Sequence, residues 1–140
     1  MSEVSVRFRV DFGPRRALGP GKVALLENIE RAGSLSEAAR GLKMSYRRAW
    51  LLLEDMNTAF EERVADTSVG GRGGGGAILT PFGRALISAY RELEEHIRER
   101  AQTAFPAAAL SAPHRDETPA VVPRRRISRH GAQVKPRVTR

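Results

Sequence analysis

The sequence predicts a mainly α-helical domain with a small antiparallel β component, and three observations lead there. Apolar residues recur at helical spacing through successive stretches between Gly21 and Ile97. Two of those stretches follow one another across a turn of about four residues, and each opens on a serine able to cap it. A block of six glycines and one arginine, residues 70–76, then separates two short runs that read as extended.

The elements follow in chain order. "VSVRFRVDF" alternates, with Val4, Val6, Phe8, Val10 and Phe12 on one side and Ser5, Arg7, Arg9 and Asp11 on the other, which predicts a half-buried strand. "GPRRALGPG" breaks it. From Gly21 a helix is expected, with Leu25, Leu26, Ile29 and Ala32 on its inner stripe and Gly33 closing it. Ser34 begins "SLSE", a capping box in which Ser34 and Glu37 would satisfy each other's backbone amides. Leu35, Ala38, Ala39 and Leu42 form the stripe of this short helix, and the two alanines allow close approach. Ser45 caps the next helix. Its apolar face is Ala49, Leu52, Leu53, Met56 and Phe60, with Trp50 alongside, while its first turn displays Tyr46, Arg47 and Arg48.

Two helices joined by a short turn, the second starting polar and basic, make a helix-turn-helix arrangement. A B-form major groove admits one helix, and the side chains reaching base edges are those of its exposed N-terminal part. The plain alternative is a helical hairpin whose arginines solvate a face.

The glycine block has two readings. A phosphate-cradling loop needs a strand before it, a helix after it, and a closing Lys and Ser/Thr; here Ala77, Ile78 and Leu79 follow and no lysine is present. A hairpin between "RVADTSV" and "AILT" fits better, with Arg72 as the charged side chain at its tip. After a helix-turn-helix such a hairpin is a wing, whose bare backbone can approach phosphates while Arg72 reaches a phosphate or the minor groove. A loop that touches nothing is the alternative. Thr80 and Pro81 then restart a helix as N-cap and first helical residue. Phe82, Leu86, Tyr90, Leu93 and Ile97 recur along it, more apolar surface than one terminal helix can bury on a small body, so a dimer seam is expected, with packing inside the monomer as the alternative. The whole is a winged helix-turn-helix with a long C-terminal dimerisation helix.

Composition divides the chain into a domain over residues 1–105 and a basic tail over 106–140. The net charge is +8, and the tail alone holds eight Lys/Arg against two Asp/Glu, so it carries most of the excess. Rich in Ala, Pro, Ser and Arg, it is expected to be disordered and to add salt-sensitive affinity for phosphates. No long apolar run suggests a membrane span and no secretory signal is visible. The absence of cysteine removes disulfides, thiolate zinc sites and cysteine nucleophiles, and it fits a reducing cytoplasm. His96, His114 and His130 are scattered, Glu54 and Asp55 point apart on a helix, and no metal-ligand spacing appears, so no catalytic residue, metal site or cofactor is expected and the chain reads as a non-enzyme.

"GSLSEAARGLKMSYRRAWLLLEDMN" followed by "VGGRGGGGAILTPFGRALI" resembles the N-terminal DNA-binding domain of the ModE family of bacterial molybdate-responsive transcriptional regulators. The resemblance runs from about Val4 to about Ile97, and its most specific parts are "SY-x-x-AW", "EDMN" and "GG-x-GGGG-A-x-LT" in that order. It implies a winged helix-turn-helix that dimerises through the first strand region and the terminal helix and binds an operator in double-stranded DNA. It also implies that Ser45, Tyr46, Arg47 and Arg48 begin the recognition helix and that Arg72 is at the wing tip. Trp50 is expected to pack beneath the recognition helix. Full-length members continue into molybdate-binding domains built of small β-barrels; nothing after Pro106 has the composition for such an oxyanion pocket, which puts direct molybdate binding in doubt. A link to molybdate uptake or molybdoenzyme genes is what kinship implies.

The candidate DNA-binding residues are therefore Ser34, Lys43, Ser45, Tyr46, Arg47, Arg48 and Arg72, and the candidate dimerisation residues are Phe82, Leu86, Tyr90, Leu93 and Ile97. The expected function is that of a homodimeric, sequence-specific transcription regulator in the cytoplasm, associated with the nucleoid. A nucleoid-type architectural or adaptor protein that binds DNA mainly through its tail is the rival reading, and a protein–protein module that docks by its wing is a third.

Overall fold

The computed structural model describes residues 4–68 and 75–111. Its centre is helix α1, Pro20–Ala32, which starts on Pro20 in the first turn and ends on Gly33 in the left-handed conformation (φ 71°), whose N–H donates to the Ile29 carbonyl at 2.9 Å. Val23, Leu25, Leu26 and Ile29 are buried. Ala32, expected on that stripe, is exposed, and Val23 takes its place because the core lies toward the helix start.

Helix α2, Leu35–Gly41, is capped by Ser34, whose hydroxyl accepts from the Glu37 N–H at 3.2 Å. Only that half of the capping box is formed; the Glu37 carboxylate pairs with Arg40 instead. Ala38 and Ala39 are buried against α1, where Asn28 Nδ2 donates to the Ala38 carbonyl. A turn through Lys43, at φ 54°, leads to α3, Tyr46–Ala59, capped by Ser45, which accepts from the Arg48 N–H at 3.1 Å.

The β component comes in two hairpins. The wing stem pairs β3, Ala65–Thr67, with β4, Ala77–Leu79, antiparallel in the register Ala65↔Leu79 and Thr67↔Ala77. The other pairs β1, Val10–Asp11, with β2, Ala17–Leu18, a strand that the Gly/Pro run of the sequence conceals. The strand expected over residues 4–12 is thus shorter than its alternation. Val4, Val6, Phe8 and Val10 are half-buried and Ser5, Arg7, Arg9 and Asp11 exposed, but alternation reports one-sided burial rather than a pairing partner, and Phe12 is 41% exposed.

Helix α4, Pro81–Ala104, is capped by Thr80, with Pro81 in its first turn. Its side chains tie back to α1 through Arg84 to Glu30 at 3.0 Å and Arg91 to Glu27. A last helical turn, α5 Ala107–Leu110, lies inside the stretch that composition assigned to the tail. The core joins α1, α2, α3, the wing stem and Tyr90 of α4. The fold is mainly α with two small antiparallel sheets: a winged helix-turn-helix with a long C-terminal helix.

Candidate nucleic-acid interface

The first turn of α3 is presented outward. Ala49, Leu53 and Met56 face the core, which leaves Tyr46, Arg47 and Arg48 exposed, with Tyr46 at 56%. Ser45 is exposed, but its hydroxyl is engaged by the Arg48 amide. Lys43 is exposed in the turn before it. Among the described residues no carboxylate pairs with Lys43, Arg47 or Arg48. These cations keep their charge free for an outside anion.

The wing base comes to the same place through backbone bonds. The Ala77 N–H donates to the Gly33 carbonyl at 2.9 Å, and Ser34 bridges Gly76, so β4 is stitched to the turn between α1 and α2. Ser68 closes the stem by donating its N–H to the Gly76 carbonyl at 2.9 Å and accepting the Gly76 N–H on its hydroxyl at 3.1 Å. Between wing base and recognition helix runs a groove of about 360 Å³, lined by Leu35, Ser36, Tyr46, Trp50, Thr67, Ser68, Gly75 and Gly76. Helix start and wing therefore open onto one surface. Ser34 belongs to this joint as cap and bridge rather than to the exposed face of α3. Arg72 and the glycines around it lie outside the described residues.

No protein-family model matches the chain. Curated relatives do. Over 71 residues it is 45% identical to the transcriptional regulator ModE of Yersinia pestis, a match covering 51% of this chain and 27% of the relative. Over 88 residues it is 40% identical to the molybdenum transport protein ModE of Azotobacter vinelandii, covering 63% and 33%. Over 82 residues it is 38% identical to the DNA-binding transcriptional dual regulator ModE of Escherichia coli K12, covering 59% and 31%. Over about half its length or a little more, the chain is thus similar to ModE proteins. It spans about a third or less of the length of the ModE relatives it matches.

Trp50 departs from expectation. It does not pack beneath the recognition helix; it is 47% exposed and lines the groove toward the wing, because its position one turn after Tyr46 puts it on the same flank. Leu51, 49% exposed, lies on the adjoining flank, in a groove it shares with Arg47 and Arg48.

The stripe along α4 divides in two. Phe82 packs edge-on against Phe60 at 5.5 Å, and Leu86 packs against the core. Tyr90 is 3% exposed, stacks on Phe8 at 4.5 Å, and donates its hydroxyl to the Phe8 carbonyl at 2.8 Å. Those three pack inside the chain, as the alternative of packing within the monomer expects. Leu93, 41% exposed, and the half-buried Ile97 stay open toward solvent.

Three residues outside the expected site set the angle of the wing. Asn57 accepts from the Val64 N–H at 2.8 Å and donates to the Ala65 carbonyl at 3.2 Å, fastening the end of α3 to β3. Thr80 donates its hydroxyl to the Arg63 carbonyl at 2.6 Å. Gly83 lies so close to β3 that a Cβ would stand 2.1 Å from the Val64 carbonyl oxygen. A signal for Asn57 was present in "EDMN", as a polar residue on the inner side of a helix.

Proposed function

We propose that this chain is a DNA-binding transcription regulator of the ModE type, acting as a homodimer on double-stranded DNA in the cytoplasm and tied to genes of molybdate uptake or molybdoenzymes. The observation that carries the reading is the groove that Tyr46 and Trp50 of α3 share with the wing base, beside which Arg47 and Arg48 of the same helix stand exposed along an adjoining groove. With α3 in a major groove, Arg47 and Arg48 reach base edges, and two N–H groups of an arginine match guanine O6 and N7. The Ser68–Gly76 stem brings the wing base against the flanking phosphates. Leu93 and Ile97 supply the part of the α4 stripe that a second copy would cover, and a two-fold protein suits paired half-sites. Relatives named as transcriptional regulators and as a molybdenum transport protein support the same reading.

Selection of bound sequences from random duplexes, run with and without molybdate and repeated on a chain ending at Phe105, tests it. A recurring paired half-site that survives the truncation is the expected result. Binding that vanishes with residues 106–140 and shows no preferred sequence would instead favour an architectural protein working through its tail.

A further inference from the structure

Among the described residues, seven large apolar side chains are exposed, and three of them, Tyr46, Trp50 and Leu51, fall within the first two turns of α3. A small domain gains nothing by wetting Tyr46 and Trp50 in the groove toward the wing and Leu51 in the adjoining groove that Arg47 and Arg48 line, so this end of α3 calls for an occupant. The cations around it say which kind. Lys43, Arg47 and Arg48 have no ionic partner among the described residues, so the occupant is anionic. A second copy packed face to face would bring these like charges together, and an apolar protein surface would leave them unanswered. A duplex major groove offers both a phosphate rim and an apolar feature, the C5 methyl of thymine on the base edges.

We infer that Trp50 and Leu51 form a thymine-reading contact, Leu51 seated on a C5 methyl and Trp50 closing the side of that contact toward the wing. This rests on the DNA-binding reading above and adds base chemistry to it. Helix geometry supplies the register. Arg47 and Leu51 share a row one turn apart, a rise of about 6 Å. Bases on one strand are spaced about 3.4 Å. A thymine read by Leu51 therefore lies about two base pairs from the base that Arg47 reaches. Tyr46 and Trp50 share the neighbouring row, the one facing Thr67, Ser68 and Gly76 across the groove.

The test uses the full chain and the duplex that selection yields for it. Each thymine is replaced in turn by deoxyuridine, which removes the methyl and leaves pairing intact. One or two positions per half-site should bind roughly 3- to 5-fold more weakly, the factor that burial of one methyl sets. The penalty should disappear in Leu51→Ala or Trp50→Ala, both exposed positions where truncation leaves the core intact. Trp50 is the chain's one tryptophan, so its emission should also change when the duplex binds. If the duplex binds selectively but no thymine is sensitive, or if the penalty survives in both variants, the inference falls while DNA binding stands. If no sequence is preferred at all, the reading beneath it falls as well.

Discussion

Arg47 and Arg48 at the start of α3 and Arg84 and Arg91 along α4 are the same side chain in two contrasting settings. On α4 each arginine is met from within the chain: Arg84 by Glu30, and Arg91 by Glu27 and by Glu94 at 2.8 Å. The hydrogen bonds that Arg91 donates to Glu27, and then to Glu94, hold its guanidinium above its already high ordinary value, against the opposing effect of burial. On α3 Arg47 and Arg48 form no such ion pair among the described residues; Asp55, which lines their groove, pairs with Lys22 instead. Net charge alone does not distinguish the two regions; the presence or absence of an internal partner does. The paired set fixes where the long helix lies on α1, and the unpaired set is left for an outside anion.

The comparison breaks most completely if the joint between wing and helices is forced apart. Gly83→Ala drives a methyl into the Val64 carbonyl, and thermal or denaturant unfolding should show a loss of about 3 kcal/mol or more. Asn57→Ala removes the acceptor of the buried Val64 N–H, and about 2 kcal/mol is expected by the same measurement. A smaller effect in either variant would mean that the wing is not held by these contacts.

Next in size are the α3 cations. Arg47→Ala or Arg48→Ala should weaken binding to the selected duplex by about 1–3 kcal/mol and relax specificity at one base pair, with the melting temperature unmoved. Arg91→Ala should do the reverse. It lowers stability by about 1 kcal/mol or less, because the pair is partly exposed and screened, and it leaves base preference unchanged. Calorimetry beside a binding isotherm separates the two, and an Arg91→Ala protein with altered base preference would undo the distinction.

The smallest expected effect is on pH. Burial, and then Glu94, hold the Tyr90 phenol above its ordinary value of about 10, with Arg91 pulling partly the other way. A phenol harder to deprotonate when folded adds stability that is complete below that ordinary value and is lost as pH rises through the folded-state value. Unfolding midpoints followed from neutral to strongly alkaline pH should fall more steeply in the wild type than in Tyr90→Phe.

Much of this was legible in the residues because local chemistry decides it. Ser34, Ser45 and Thr80 cap the helices they precede, Gly33 ends α1, and the glycine block sits between paired strands. What the sequence concealed depends on distant partners. Ala17–Leu18 became a strand because Val10–Asp11 was within reach, while the alternating residues before it have no neighbouring strand among those described. Phe82 and Tyr90 read as a seam, yet Phe60 and Phe8, 22 and 82 residues away, take them up. Trp50 was expected beneath the recognition helix, whereas its turn of the helix faces the wing. The contacts that aim the wing, through Asn57 and Gly83, follow from close approach in three dimensions that no periodicity reports.

Amide exchange on the full chain, with and without its selected duplex, tests the central claim most directly. Slowed exchange at both the start of α3, Ser45–Leu51, and the wing base around Ser68 and Gly76 is the predicted result. Protection confined to α4 or to residues 106–140, with the start of α3 unchanged, would contradict it.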